Sequence, residues 1–139
     1  MCWRFWAVPN SSITLCMITD DADEKSRLVG VVGPCGSGKS TLIVGLQSAG
    51  YPCRHIAQEH SYVPYMWQRI THPDVLIYLH ASFPVCTARR RLNWTREDFE
   101  EEMRRLAHAR EHADLIVQTD DLSAPQVLDI VLEFLGAHP

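Results

Sequence analysis

Leu28-Val29-Gly30-Val31-Val32-Gly33-Pro34-Cys35-Gly36-Ser37-Gly38-Lys39-Ser40-Thr41-Leu42-Ile43-Val44-Gly45-Leu46 decides the fold class. It begins as a short apolar run, passes through a glycine-rich turn, and continues as an apolar segment at helical length. Residues Gly33 to Ser40 fit G-x-x-x-x-G-K-[ST] at every fixed position. In that pattern backbone N–H groups point into a concavity sized for phosphate oxygens, and the dipole of the following helix favours negative charge there. A turn that merely joins a strand to a helix does not require Lys39 and Ser40 at its exit. The expected phosphate contacts are therefore Gly33, Pro34, Cys35, Gly36, Ser37, Gly38, Lys39, Ser40 and Thr41. Lys39 would bridge the β- and γ-oxygens, and the Ser40 hydroxyl would hold Mg²⁺.

Working outward, the chain of 139 residues carries a formal net charge of −4, which argues against a general nucleic-acid or anionic-membrane surface. No stretch approaches the length of a membrane-spanning helix. Five cysteines, Cys2, Cys16, Cys35, Cys53 and Cys86, are scattered without a C-x-x-C pair, a usage that suits a reduced cytoplasm. Cys35 lies inside the loop, where its oxidation would block the site; a small tolerated side chain is the plainer account. The polar run Asp20 to Ser26 separates residues 1–26, expected to be a flexible extension or a short edge strand, from one domain over 27–139.

Downstream, Lys39 to Ala49 reads as a helix closed by Gly50. Pro52–Ala57 reads as a weak strand, and Ser61–Ile70 as a helical turn or short helix. Val75–Ala81 is a near-continuous apolar run of the kind buried in a parallel sheet. Ser82 and Pro84 start a helix to about Leu92. Thr95 and Asp98 form a capping box for a helix from Arg96 to about Glu111, with Phe99, Met103, Leu106 and Arg110 on its inner face. Glu100–Arg104 and Glu101–Arg105 would pair on its outer face. Asp114–Gln118 is the last strand, and a final helix from Ser123 turns Val127, Leu128, Val131, Leu132 and Leu135 inward and ends at Gly136. Strands alternating with helices imply a parallel α/β sheet with right-handed crossovers.

From about Arg27 to Leu135 the chain resembles the small P-loop kinases: dephospho-coenzyme A kinase, adenylylsulfate kinase, shikimate kinase and the nucleotide kinases. The resemblance rests on Gly33–Thr41, on the strand Asp74–His80 followed by Arg89-Arg90-Arg91, and on the ending Ala113 to Ser123. It implies an α/β, three-layer P-loop NTPase fold with helices on both faces of the sheet. It implies ATP as ligand, a lid arginine from Arg89 or Arg90 over the phosphates, and an adenine pocket from Thr119, Asp120 and Leu122. Arg96 in the turn is a further lid candidate. The departures are specific. Seventeen residues separate Ala57 from Val75, too few for the usual substrate-binding segment plus another strand. The strand Val75–Ala81 ends in His80 where a carboxylate commonly sits, and no acidic residue follows a fully apolar strand. A reduced parallel sheet of about four strands follows.

If one strand is missing, Cys53–Ala57 lies beside the phosphate-loop strand and Glu59 faces the metal and the γ-phosphate. Glu59 is then the expected base or water-orienting group, with Gln58 and His60 beside it; a solvated loop carboxylate is the alternative. Tyr62, Tyr65, Trp67 and Arg69 occupy the region where related kinases hold the phosphate acceptor, or form an aromatic cap over the core. His108 and His112 stand one helical turn apart without an evident third ligand, which favours a surface role. The expected activity is transfer of the γ-phosphate of ATP to an unidentified small-molecule or nucleotide acceptor, by a monomer or homodimer. The alternative is an ATP-binding regulatory or switch protein with weak or no transfer. A GTPase is disfavoured because Gln118-Thr119-Asp120-Asp121 lacks an N-K-x-D signature.

Overall fold

A computed structural model describes residues 27–90 and 93–137, the side chains of 90 and 137 excepted. The expected extension 1–26, the end of the helix expected to reach Leu92, and Arg91 lie outside the described residues. Within them the chain forms a four-stranded, all-parallel sheet in the order β2-β1-β3-β4. The strands are β1 (Val29–Val32), β2 (Cys53–His55), β3 (Val75–His80) and β4 (Leu115–Gln118). The helices are α1 (Lys39–Ser48), α2 (Met66–Ile70), α3 (Phe83–Arg90), α4 (Arg96–His112) and α5 (Ala124–Ala137), with a 3-10 turn at Gln58–His60.

Side chains alternate across a strand, so a strand covered on both faces is apolar at every position. That explains why β1 and β3 read as continuous apolar runs. On one face Val29, Val31, Ile77 and Leu79 pack with Leu42, Ile43 and Leu46 of α1 and Val127, Val131 and Leu135 of α5. On the other face Val32, Leu76 and Tyr78 pack with Ile56, Trp67 and the α4 residues Leu106 and Ala109. Each such aliphatic side chain contributes about 1.5–3 kcal/mol on burial. The layers are helix, sheet, helix.

Two aspartates set the strand register by the same device. Asp74, just before β3, donates its N–H to Leu28 O and accepts Leu28 N–H on Oδ2, both at 2.8 Å. Asp114, just before β4, does the same with Leu76, again at 2.8 Å in both directions. Each carboxylate completes the ladder where a strand begins.

The expected missing strand is absent from the described sheet, and β2 pairs directly with β1, Val29 opposite Cys53. β2 is an edge strand of three residues, Cys53 to His55, shorter than the expected Pro52–Ala57 because Ile56 already turns into the core. The helix expected from Ser61 starts only at Met66, since Ser61 Oγ accepts the N–H of Val63 at 3.1 Å and forms a local turn before Pro64. Gly136 does not end the last helix, which runs through to Ala137.

The capping box at α4 is formed: Thr95 N–H donates to Asp98 Oδ2 at 2.9 Å and Asp98 N–H to Thr95 Oγ1 at 3.2 Å. The buried face of α4 is Phe99, Glu102, Leu106 and Ala109, with Met103 half-buried beside it. Arg110, expected inside, is exposed and lays its guanidinium 5.6 Å from the centre of the Tyr78 ring. On the outer face Glu101 takes both arginines, Arg104 and Arg105, in place of the separate Glu100–Arg104 pair.

Candidate functional site

The site grows from the turn between β1 and α1. Gly33 enters it where a side chain has no room: a Cβ there would lie 2.3 Å from the Leu79 carbonyl oxygen and 2.8 Å from Ser37 Oγ. The clash is with β3 backbone, which cannot yield. Gly33→Ala is expected to cost about 1–3 kcal/mol or more of stability by overpacking, read by chemical denaturation. Gly36 and Gly38 have φ of 86° and 100°, the left-handed region that glycine occupies without penalty. The Pro34 carbonyl accepts the Ser37 N–H at 3.1 Å and closes the turn.

Gly38 leads into α1 with no side chain capping the helix and no acidic residue in its first turn. Its positive end is therefore not neutralised by a carboxylate of its own. Lys39, the first residue of α1, is only 5% exposed. Its ammonium folds back on the loop, donating to Gly33 O at 2.6 Å and to Pro34 O at 3.1 Å. It also meets Glu59 Oε2 at 2.9 Å.

Glu59 is 2% exposed, which removes the alternative of a solvated loop carboxylate. Its place follows from the sheet order. Because β2 lies against β1, the 3-10 turn after β2 comes down beside the glycine-rich loop. Gln58, next to it, is a structural clamp: its amide N donates to Val63 O at 2.8 Å and to Arg105 O at 3.2 Å, and its Oε1 accepts Trp67 N–H at 2.8 Å. Arg105 donates to Glu59 O at 3.2 Å and holds the same turn to α4. Glu59 Oε1 is buried without a hydrogen-bond partner among the described residues.

Two clefts meet at the loop. The larger, about 400 Å³, is lined by Lys39, Ser40, Thr41, Glu59, His60 and Arg89 among others. The smaller, about 200 Å³, has apolar walls from Leu42, Leu122 and Val127 and a polar rim of Ser37 and Thr119. Gly38, Thr41 and Arg89 line both, so the two adjoin. Ser40 and Thr41 are exposed to the cleft.

Of the arginine run, Arg89 reaches the site. It donates to Gly36 O at 3.2 Å, to Thr119 Oγ1 at 3.0 Å and to Thr119 O at 2.6 Å, bridging the loop and the end of β4. The Arg90 side chain lies outside the described residues. Arg96 is turned elsewhere, its guanidinium 4.8 Å from the centre of the Phe83 ring. Thr119 and Leu122 line the smaller cleft, whereas Asp120 accepts the Ser82 N–H at 2.9 Å, tying β4 to the start of α3.

Two side chains escaped sequence reasoning. Glu102 is 6% exposed, and its Oε1 accepts the Cys35 N–H at 3.1 Å. Its spacing from Phe99 and Leu106 places it on the inner face of α4 and was the available signal. Cys35 is more than a small tolerated residue: its Sγ lies 3.5 Å from His60 Nε2 and 4.0 Å from Glu59 Oε2. Burial first, then the charges of Glu102 and Glu59, push its thiol up to about 11. The thiol is protonated and a poor nucleophile at neutral pH.

The remaining candidates do not join the site. Trp67 is buried in the core beneath α4, and its Nε1 donates to His108 Nδ1 at 3.1 Å. His108 and His112 stack with ring centres 4.3 Å apart and cover Trp67. Tyr62 is exposed under the Arg105 guanidinium, and Arg69 lies 6.0 Å from the centre of the Tyr65 ring. Trp67 is the aromatic of this group that enters the core, and Tyr62 and Tyr65 stay on the surface. His80, at the end of β3, has its Nδ1 buried without a partner among the described residues, and burial followed by Arg110 lowers its pKa. No described helix is long and apolar enough to cross a membrane. No protein-family model and no curated protein matches the sequence.

Proposed function

We propose that the paired clefts bind Mg²⁺-ATP and that the protein is a reduced, kinase-like phosphotransferase. The observation that carries this is an apolar, base-sized cleft adjoining a polar one that holds a buried lysine–glutamate pair, both lined by the same glycine-rich loop. Adenine enters the smaller cleft against Leu42, Leu122 and Val127. The triphosphate lies along the loop toward the helix N-terminus. Ser40 and Glu59 are oxygen donors lining one cleft, and Glu59 has an unpartnered oxygen, a set that suits a hard cation. Ser40 would hold Mg²⁺, which neutralises phosphate charge during transfer, and Glu59 would face it as base or water-orienting group.

Lys39 and Glu59 are the working pair. Without ligand each satisfies the other. A γ-phosphate offers Lys39 a stronger partner, and Glu59 is released to accept a proton from the acceptor hydroxyl or to orient water. Arg89, already stretched between the loop and Thr119, supplies the second cation. Glu59→Gln keeps the volume and removes the base. It is expected to lower turnover by about 10²–10⁴-fold, the worth of a positioned general base, and to weaken Mg²⁺ dependence. Phosphate release and ³¹P NMR with candidate acceptors measure both.

A second reading, an ATP-operated switch, is favoured by the segment between β2 and β3. It is spent on a turn and a five-residue helix whose Trp67 is committed to the core. Nucleotide bound by the wild-type protein with no transfer to any acceptor would favour the switch.

A further inference from the structure

We propose that Cys35, His60 and Glu102 form a binding site for a zinc-class divalent cation at the rim of the glycine-rich loop. Their ligand atoms, one from each residue, lie within 4.8 Å of one another. The three come from three separate elements: the loop, the 3-10 turn after β2, and the inner face of α4. Zinc bonds of about 2.3 Å to sulfur and 2.0–2.1 Å to nitrogen, at a tetrahedral angle, hold the two ligand atoms about 3.6 Å apart. Cys35 Sγ and His60 Nε2 stand 3.5 Å apart. The pair is already at ligand spacing.

Charge points the same way. Glu59 and Glu102 are 2% and 6% exposed, and both approach Cys35. Lys39 offsets Glu59 at 2.9 Å, while Glu102 accepts a neutral N–H from Cys35. Burying a carboxylate without a countercharge is costly. A cation bound by Cys35, His60 and Glu102 brings that countercharge. On binding, the Cys35 thiol gives its proton to solvent and its thiolate to the metal.

The donor set selects the metal. Thiolate and imidazole favour Zn²⁺ or Co²⁺, whereas Mg²⁺ takes oxygen ligands. His60 is exposed, which leaves an entry path and room for water at the fourth position. The site does not depend on the nucleotide assignment, and its test contains no nucleotide.

Co²⁺ titrated into the full-length protein is expected to give the near-ultraviolet absorption of a thiolate–cobalt bond. Cys35→Ser should abolish that absorption, and Cys53→Ser should keep it. His60→Ala should weaken Zn²⁺ binding, measured by chelator competition, by more than about tenfold. Millimolar Mg²⁺ should leave the absorption unchanged. Should Cys35→Ser fail to fold, wild-type protein still decides: saturating Zn²⁺ should slow iodoacetamide labelling of Cys35 at least tenfold, and chelator should restore it. Undiminished absorption in Cys35→Ser, displacement by Mg²⁺, or unaltered labelling of Cys35 under Zn²⁺ would overturn the proposal.

Discussion

Lys39→Ala is expected to lower the free energy of unfolding by about 3–5 kcal/mol, because it strands a carboxylate inside the protein. Lys39 and Glu59 are 5% and 2% exposed and 2.9 Å apart. Loss of the ammonium also takes the Lys39 donor from Gly33 O, while Pro34 O keeps the Ser37 N–H. The cost belongs to the unpaired charge more than to the bond itself. Adding Glu59→Gln to Lys39→Ala should therefore recover a large part of the loss, and the double-mutant cycle should give a coupling of about 0.5–3 kcal/mol. Denaturant unfolding of the four proteins measures it. Strictly additive losses would mean that the two groups do not sense each other.

Arg89→Ala should leave the fold nearly intact and remove most of the catalysis. Gly36 O lies on the exposed side and can turn to water, and buried Thr119 keeps its hydroxyl bond to His80 O, which holds the cost to about 1–3 kcal/mol. In phosphoryl transfer, however, an arginine that meets the developing charge is worth about a thousandfold or more. The expected result is a turnover lower by about that factor with nucleotide affinity changed far less, read as kcat against Kd. An unchanged kcat would reduce Arg89 to a strut between Gly36 and Thr119.

The residues that were legible in the sequence are those whose role is local. The loop Gly33–Thr41, the Thr95–Asp98 box and the strands β1 and β3 follow from spacing and composition within a dozen residues. Glu59 was legible for a different reason: too little chain lies between Ala57 and Val75 for a substrate-binding segment plus another strand, and with that strand missing β2 falls beside β1. Glu102 was harder because it depends on how α4 rotates, and the Cys35–His60 contact because it depends on how the turn after β2 seats against the loop. A charged residue amid Glu100, Glu101 and Arg104 reads as solvent-facing until the helix phase is fixed. The arginine run shows the limit from the other side. Successive helical residues point about 100° apart, so composition supplies candidates, and packing brings Arg89 to the loop.

The central claim is that Gly33–Thr41 and the cleft reaching Thr119 and Leu122 hold one nucleoside triphosphate. A calorimetric titration of the wild-type protein with ATP, with and without Mg²⁺, tests it most directly. The account predicts one equivalent bound, tighter with Mg²⁺ than without. Failure to bind any nucleoside triphosphate by folded protein would contradict it.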